Sequence, residues 1–339
     1  MSAGLDGAAV DAYLSDALPG YRGPLRAEKF AAGQSNPTFL LTAPSGRYVL
    51  RRKPPGTLLK SAHAVDREFR VQRALTKTDV PVATVHVLCG DEAVIGSAFY
   101  VMDYVSGRHF DDPRLPDLAP MERAALSDDM ARVLAAIHSV DIAGAGLSDF
   151  GRPGNYVHRQ IDRWTAQYRA SETGTIPAME ELMAWLCANA PEDDGRASLV
   201  HGDYRIDNLL FAHDAPRCVA VLDWELSTIG HPFADLAALL MQWRLPPGRE
   251  GRGLAGVDRG ALGLPSDEAF VAAYCARMGL SGIDNLSAYI AFCFFRMAAI
   301  LQGVKKRGLD GNASDPARAA SLGATVPLYA KGGLEAASG

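Results

Sequence analysis

The strongest chemical signal in this sequence lies between residues 201 and 225. His201-Gly202-Asp203-Tyr204-Arg205-Ile206-Asp207-Asn208 follows an apolar run and places an amide five residues after Asp203. A second apolar run ends in Val221-Leu222-Asp223-Trp224-Glu225. Phosphoryl transfer needs such a set: one carboxylate to accept a hydroxyl proton, and an amide with a second carboxylate to hold Mg²⁺ against phosphates. Asn and Asp oxygens suit that hard cation better than the softer ligands of zinc sites. A lone His-Gly-Asp would read as a turn with a buried imidazole and a capping carboxylate. Asn208 and Asp223 together turn the reading toward catalysis by Asp203. His201 is expected to hold the loop by hydrogen bonding. Asp235, at the start of an apolar helix, is expected to bond backbone amides of that loop, because a buried carboxylate must be satisfied. Glu225 has two readings, as a helper of the metal or substrate and as a solvated residue opening the next loop.

These residues need a scaffold, and the pattern supplies one in two parts. Residues 25–32, 38–43 and 48–52 are β-type runs, with Pro44-Ser45-Gly46 as a hairpin turn. The spacing of Val65, Phe69, Gln72 and Leu75 predicts a helix over 62–76. Residues 84–89 and 98–104 read as two further strands about Gly90-Asp91-Glu92. This order makes an α+β lobe with an antiparallel sheet, since hairpins need no crossover helix. Beyond residue 104 helical patterns dominate, over 121–138, 156–171, 178–190, 234–243, 267–278 and 286–303. Strands at 209–212 and 218–222 flank Asn208 and Asp223, and residues 245–265, rich in Gly, Pro and Arg, predict a mobile surface loop.

Bulk properties bound the answer. The 339 residues suit two ordinary domains or one large domain with two lobes. With 48% hydrophobic residues the chain is not mostly disordered, and its net charge of −5 gives no global grip on nucleic acid. The apolar runs 233–243 and 289–301 contain Asp235 and Arg296 and read as too short for a bilayer, so no membrane partner is expected. The first residues lack a basic segment, which argues against a secretory signal. Five cysteines without a CxxC pair read as reduced thiols of a cytoplasmic protein, a monomer or homodimer.

His201-Gly202-Asp203 with Asn208, then Asp223, then Gly230-His231-Pro232-Phe233-Ala234-Asp235-Leu236-Ala237, resembles the aminoglycoside phosphotransferase and choline kinase superfamily. That superfamily shares the protein-kinase fold, with HGDxxxxN as its catalytic loop and Asp223 at the metal-binding position of the DFG segment. Gly33-Gln34-Ser35-Asn36-Pro37-Thr38, the stretch 48–56, Asp66-Arg67-Glu68-Phe69 and Arg159-Gln160-Ile161-Asp162-Arg163-Trp164 further resemble the kinase-like domains fused to some acyl-CoA dehydrogenases. The resemblance implies a nucleotide-binding lobe over 1–104 and a helical catalytic and acceptor lobe over 105–339. It implies ATP and Mg²⁺ as cofactors and a small-molecule hydroxyl, in this subgroup of a hydroxyacyl compound, as acceptor.

Carried onto this chain, the resemblance puts Arg51 where protein kinases have lysine, with Glu68 on the next helix to orient it. Val49, Arg51 and Lys53 share one strand face, so Lys53 is the alternative phosphate ligand, and a solvated basic edge the bland reading. Gly33, Ser35 and Asn36 would form the phosphate-cradling turn, although a single glycine equally marks an ordinary hairpin. Asp103 and Val105 fall at the lobe junction, where backbone groups would bond adenine. For the acceptor, Arg159 and Trp164 are the candidates: Arg159 for an anion, Trp164 for an acyl chain, against a plain core role for the aromatic. Two rival functions stay open, a non-catalytic nucleotide or acyl-CoA binding module and a metal-dependent phosphohydrolase. An aminoglycoside- or choline-type kinase is the alternative within the same chemistry. No APE segment follows Asp223, so a protein substrate is not expected.

Overall fold

A computed structural model describes residues 4–30, 36–54, 64–152, 154–248, 252–313 and 315–339. The chain begins with α1 (Gly7–Ala17), capped by Asp6, whose carboxylate accepts the N–H groups of Ala8 and Ala9. There follow β1 (Arg26–Lys29), β2 (Thr38–Ala43), β3 (Gly46–Arg52), α2 (Val65–Leu75), β4 (Val85–Cys89) and β5 (Phe99–Asp103). The strands form one antiparallel sheet in the order β1-β2-β3-β5-β4.

Alternation gives this sheet two different faces. Leu50 of β3 stands opposite Val101, and with Phe39, Leu41 and Phe99 they pack against Val10 and Leu14 of α1. Each such fully buried side chain contributes about 1.5–3 kcal/mol. On the other face Tyr100 of β5 packs with Val65 and Phe69 of α2, and Arg51 stands directly opposite Tyr100. Register alone therefore aims Arg51 at α2, one turn from Glu68.

The chain continues through α3 (Pro120–His138), α4 (Tyr156–Ser171), α5 (Pro177–Asn189), β6 (Ser198–Val200), β7 (Leu209–Phe211), β8 (Cys218–Val221) and β9 (Thr228–Gly230). It closes with α6 (Phe233–Trp243), α7 (Arg259–Leu262), α8 (Asp267–Met278), α9 (Leu286–Leu309), α10 (Pro316–Ala324) and α11 (Val326–Ala337). β6 pairs with β9 and β7 with β8, both antiparallel. Helices α4, α5, α6, α10 and α11 all pack on α9.

Two compact units result. One comprises residues 1–110, 143–147 and 207–227; the other comprises 111–142, 148–206 and 228–339. A single cut after residue 104 therefore does not describe the chain, because the β7–β8 hairpin and Asp223 belong to the unit built on the five-stranded sheet.

Helix α1 and the short β6–β9 pair are additions to the sequence reading, and three further features depart from it. Helices α10 and α11 went unforeseen because Gly323, Gly332 and Gly333 disfavour helix locally. Tertiary packing reverses that: a Cβ at Gly332 would stand 2.6 Å from the Phe294 ring, and one at Gly333 2.5 Å from Leu182. Helix α9 extends beyond the apolar run, and by length and composition it could cross a membrane; two thirds (67%) of its apolar window is buried by the helices around it. The described part of 245–265 is anchored. Leu245, Leu254 and Leu264 are buried, and Leu254 N–H donates to the Trp243 carbonyl.

Candidate active site

The unit carrying the sheet brings five of the sequence candidates together. The Arg51 guanidinium lies 2.9 Å from a Glu68 oxygen, 2.5 Å from Asp223 Oδ1 and 3.7 Å from Glu225 Oε2. Glu68 is 1% exposed and also accepts from Asn36 Nδ2 at 2.7 Å and from the Tyr100 hydroxyl at 3.1 Å. Asn36 is thus a support for Glu68. Burial pushes the Glu68 carboxyl up to about 7 against the pull of Arg51, with Asp223 and Glu225 adding to the rise. Burial also opposes the charge of Arg51, but Glu68, Tyr100 and Asp223 outweigh it and hold the guanidinium above its ordinary value. Arg51, not Lys53, is the cation that α2 orients. Arg52 points the other way, over the Phe39 ring.

The β7–β8 ladder sets the metal candidates. Leu209 pairs with Val221, and the Leu222 N–H donates to the Asn208 carbonyl at 2.8 Å, so Asn208 and Asp223 leave the hairpin side by side. Trp224 is buried and its Nε1 donates to the Val221 carbonyl, pinning the turn after Asp223. Asp223 itself takes a left-handed backbone, φ 63°. That conformation disfavours most side chains but is tolerated by Asp and Asn. Glu225 joins the same cluster, 3.7 Å from Arg51. Among the described residues no three His, Cys, Asp or Glu side chains form a closed metal cage. An open pair of Asn and Asp oxygens fits Mg²⁺, which keeps waters and phosphate oxygens in its shell. At the junction the Asp103 N–H is bonded to the Thr84 carbonyl and its carboxylate to His86, whereas Val105 makes no hydrogen bond among the described residues. Gly33 and Ser35 lie outside the described residues.

The helical unit holds Asp203. Strand β6 leads into His201, which is fully buried and accepts the Asp203 N–H on Nδ1 at 3.2 Å. Gly202 turns the chain at φ 87°. Asp235, 1% exposed at the start of α6, accepts the His201 N–H at 2.5 Å and the Gly202 N–H at 2.8 Å. Both structural roles expected from sequence are present. The support runs deeper than expected, since His138 of α3 approaches Asp235 at 3.4 Å and bonds the Tyr274 hydroxyl of α8 at 2.8 Å. Asp203 keeps a carboxylate oxygen 3.3 Å from Arg205.

Residues 26–278 match the phosphotransferase enzyme family. The chain belongs to that family. It is 48% identical over 308 residues to acyl-CoA dehydrogenase family member 10 of Mus musculus, covering 90% of this chain and 29% of that protein. It is 42% identical to family member 11 of Rattus norvegicus and 46% identical to a probable acyl-CoA dehydrogenase of Arabidopsis thaliana, covering 95% and 88% of this chain. It spans 42% and 38% of those two proteins, so it spans less than half of these curated relatives. A solved structure described as a putative aminoglycoside phosphotransferase from Ralstonia eutropha is 48% identical, with a TM-score of 0.90 and 98% of both chains covered. A macrolide 2'-phosphotransferase from Brachybacterium faecium, 21% identical with a TM-score of 0.59 and covering 93% of this chain and 98% of its own, shares the fold. The fold is the two-lobe, protein-kinase-like one.

In this family member the acceptor candidates sit on α4. Arg159 donates to the Arg152 carbonyl at 2.5 Å, and Trp164 is half-buried, with its Nε1 donating to Gln160 and Arg163 over its ring. Arg169, in the last turn of α4, pairs with both Glu172 and Glu180.

The Arg51 geometry makes a first prediction. Arg51→Ala removes a charged hydrogen-bond donor worth about 1.5–3 kcal/mol, so kcat/KM for ATP should fall about 10- to 100-fold with the acceptor KM little changed. Arg51→Lys should recover part of this, since the charge stays and the fork is lost. Unchanged steady-state constants in Arg51→Ala would remove the phosphate role.

Proposed function

We propose that this protein is an ATP- and Mg²⁺-dependent kinase of a small anionic molecule, transferring the γ-phosphoryl group to a hydroxyl, with a hydroxyacyl compound as the favoured acceptor. The observation that carries the reading is Arg51, placed on β3 between Glu68 and Asp223. The Asp203 carboxylate accepts the acceptor's proton as its oxygen bonds to phosphorus and the bond to the ADP oxygen breaks. Arg51, oriented by Glu68, binds the nucleotide phosphates. Asn208 and Asp223 would hold Mg²⁺, with Glu225 beside them, and the ion would screen charge developing on the phosphates. The Val105 backbone, together with Gly33 and Ser35, would complete the nucleotide contacts. We place the protein in the cytoplasm as a monomer or homodimer; its five cysteines are all free.

The acyl acceptor is supported by the relatives named as acyl-CoA dehydrogenases and by the charge of α4, where Arg159 is half-buried and Arg163 is exposed beside Asp162. Aminoglycosides are polycations and need an acidic acceptor site. A γ-phosphate transfer screen over hydroxyacyl-CoAs, hydroxy acids, choline and kanamycin should give product with a hydroxyacyl compound and none with kanamycin. Arg159→Glu should raise the acceptor KM and leave that of ATP alone. Kanamycin turnover without hydroxyacyl turnover would overturn the acceptor class. ATP binding without transfer to any alcohol would favour the binding module, and steady ATP turnover without an alcohol the hydrolase.

A further inference from the structure

The first nineteen residues of helix α9 are mostly apolar and carry one charge, Arg296. Its neighbours Phe292, Cys293, Phe294 and Phe295 are buried, yet Arg296 is partly exposed, and its Nη2 donates to the Gly202 carbonyl at 3.2 Å. Gly202 immediately precedes Asp203. A guanidinium carries five N–H donors, and this is the one hydrogen bond that Arg296 makes among the described residues; no carboxylate lies within ion-pair distance of it there. A charged residue on a core helix is costly unless it is paired or serves a ligand.

Tyr156 stands at the start of α4, which packs on α9. Its ring lies against Gly230, where a Cβ would come within 2.8 Å of it, so the glycine keeps the ring in place. The Tyr156 hydroxyl makes no hydrogen bond among the described residues. Burial raises it to about 12, and the packing of α4 on α9 brings it to the helix that carries Arg296. Asp235 is the carboxylate that also reaches it, and both Asp235 oxygens are taken by the His201 and Gly202 amides.

We infer that Arg296 and Tyr156 form the anion-binding half of the acceptor site, gripping a carboxylate or phosphate group of the acceptor beside the Asp203 loop. This assignment rests on the kinase reading above and names the residues that select its substrate. Consecutive residues are about 3.8 Å apart along the chain, so a group held at Gly202 belongs to an acceptor whose anion and reacting hydroxyl lie a few bonds from each other. Charge and the bidentate fork both favour such an oxyanion.

The test uses the whole chain and two matched probe pairs. In calorimetric titration butyrate should bind and butyramide should not, and Arg296→Gln should weaken butyrate about 10- to 100-fold. Arg296→Lys should restore part of the affinity and Tyr156→Phe should lose a smaller factor. Inorganic phosphate run in parallel distinguishes the source: Arg296-dependent binding of phosphate but not butyrate assigns the site to a phosphate ester. In turnover by Arg296→Gln, the hydroxy acid β-hydroxybutyrate should lose at least about tenfold in kcat/KM relative to its methyl ester, while ATP keeps its wild-type KM. An equal loss for acid and ester would make Arg296 a clip for the catalytic loop and overturn the proposal. So would equal binding of butyrate and butyramide, or no binding of either anion to the wild-type chain. Absent turnover of both hydroxy compounds would count against the kinase reading alone, because the titration decides the anion site independently. Should Arg296→Gln fail to fold, Tyr156→Phe and Arg296→Lys carry the same comparisons.

Discussion

Asp223→Asn should abolish Mg²⁺-supported phosphoryl transfer, by about a thousandfold or more, while leaving the melting temperature almost unchanged. Losing a metal-binding carboxylate forfeits several kcal/mol of transition-state charge stabilisation, at about 1.4 kcal/mol per tenfold. The choice of Asn follows from the backbone. Asp223 sits at φ 63°, which Asn adopts readily, whereas Ala there adds a strain of about 1–2 kcal/mol. Asp223→Ala should therefore be equally inactive but melt lower, separating the ligand role from the turn. The 2.9 Å contact of Arg51 with Glu68 does not involve Asp223, so the sheet and α2 should stay joined in both variants. Steady-state turnover over a Mg²⁺ titration, with thermal unfolding of both variants, checks this. Wild-type turnover in Asp223→Asn would take Asp223 out of the metal site.

Asp235→Ala should be the most destabilising single change at the site. The carboxylate is fully enclosed, takes two backbone N–H groups and meets His138, so its removal orphans buried donors and an imidazole. Breaking a buried network of this kind costs about 3–5 kcal/mol, a melting shift on the order of 10 °C for a domain of this size. Burial opposes the charge of Asp235, but His138, His201 and the Gly202 amide outweigh it and hold the carboxyl below its usual value. Its folded pKa being depressed, the ionised group stabilises the fold above about pH 4 and that stabilisation is lost as the pH falls through the folded value. Asp235→Asn should flatten the acid side of the stability curve and lower kcat more than the KM for ATP, because the loop carrying Asp203 loosens. An acid limb identical to wild type would remove Asp235 from this role.

Much of this was legible in the residues. Asp203, Asn208 and Asp223 announce themselves because few arrangements other than phosphoryl transfer need those three types at that spacing. Strands and helices followed from period, since a residue buried on one face must recur every two or every 3.6 positions. The buried roles of His201 and Asp235 followed from the rule that enclosed polar groups find partners. What sequence could not decide was register and company. Val49, Arg51 and Lys53 share a face in any strand, and only the pairing of Arg51 with Tyr100, under α2, makes Arg51 the partner of Glu68 and Asp223. Arg169 is paired by Glu180, eleven residues on, a partner that local spacing does not announce. Arg296 was a blemish in an apolar helix, and its meaning depends on Gly202, ninety-four residues away in the chain. Helices α10 and α11 form against their own propensity because Gly323 lets α10 close on Lys305, and Gly332 and Gly333 let α11 close on Phe294 and Leu182. Local chemistry and periodicity are properties of neighbouring residues, so one sequence suffices to read them; ion-pair partners and close helix contacts are set by distant segments, and only the folded chain brings those together.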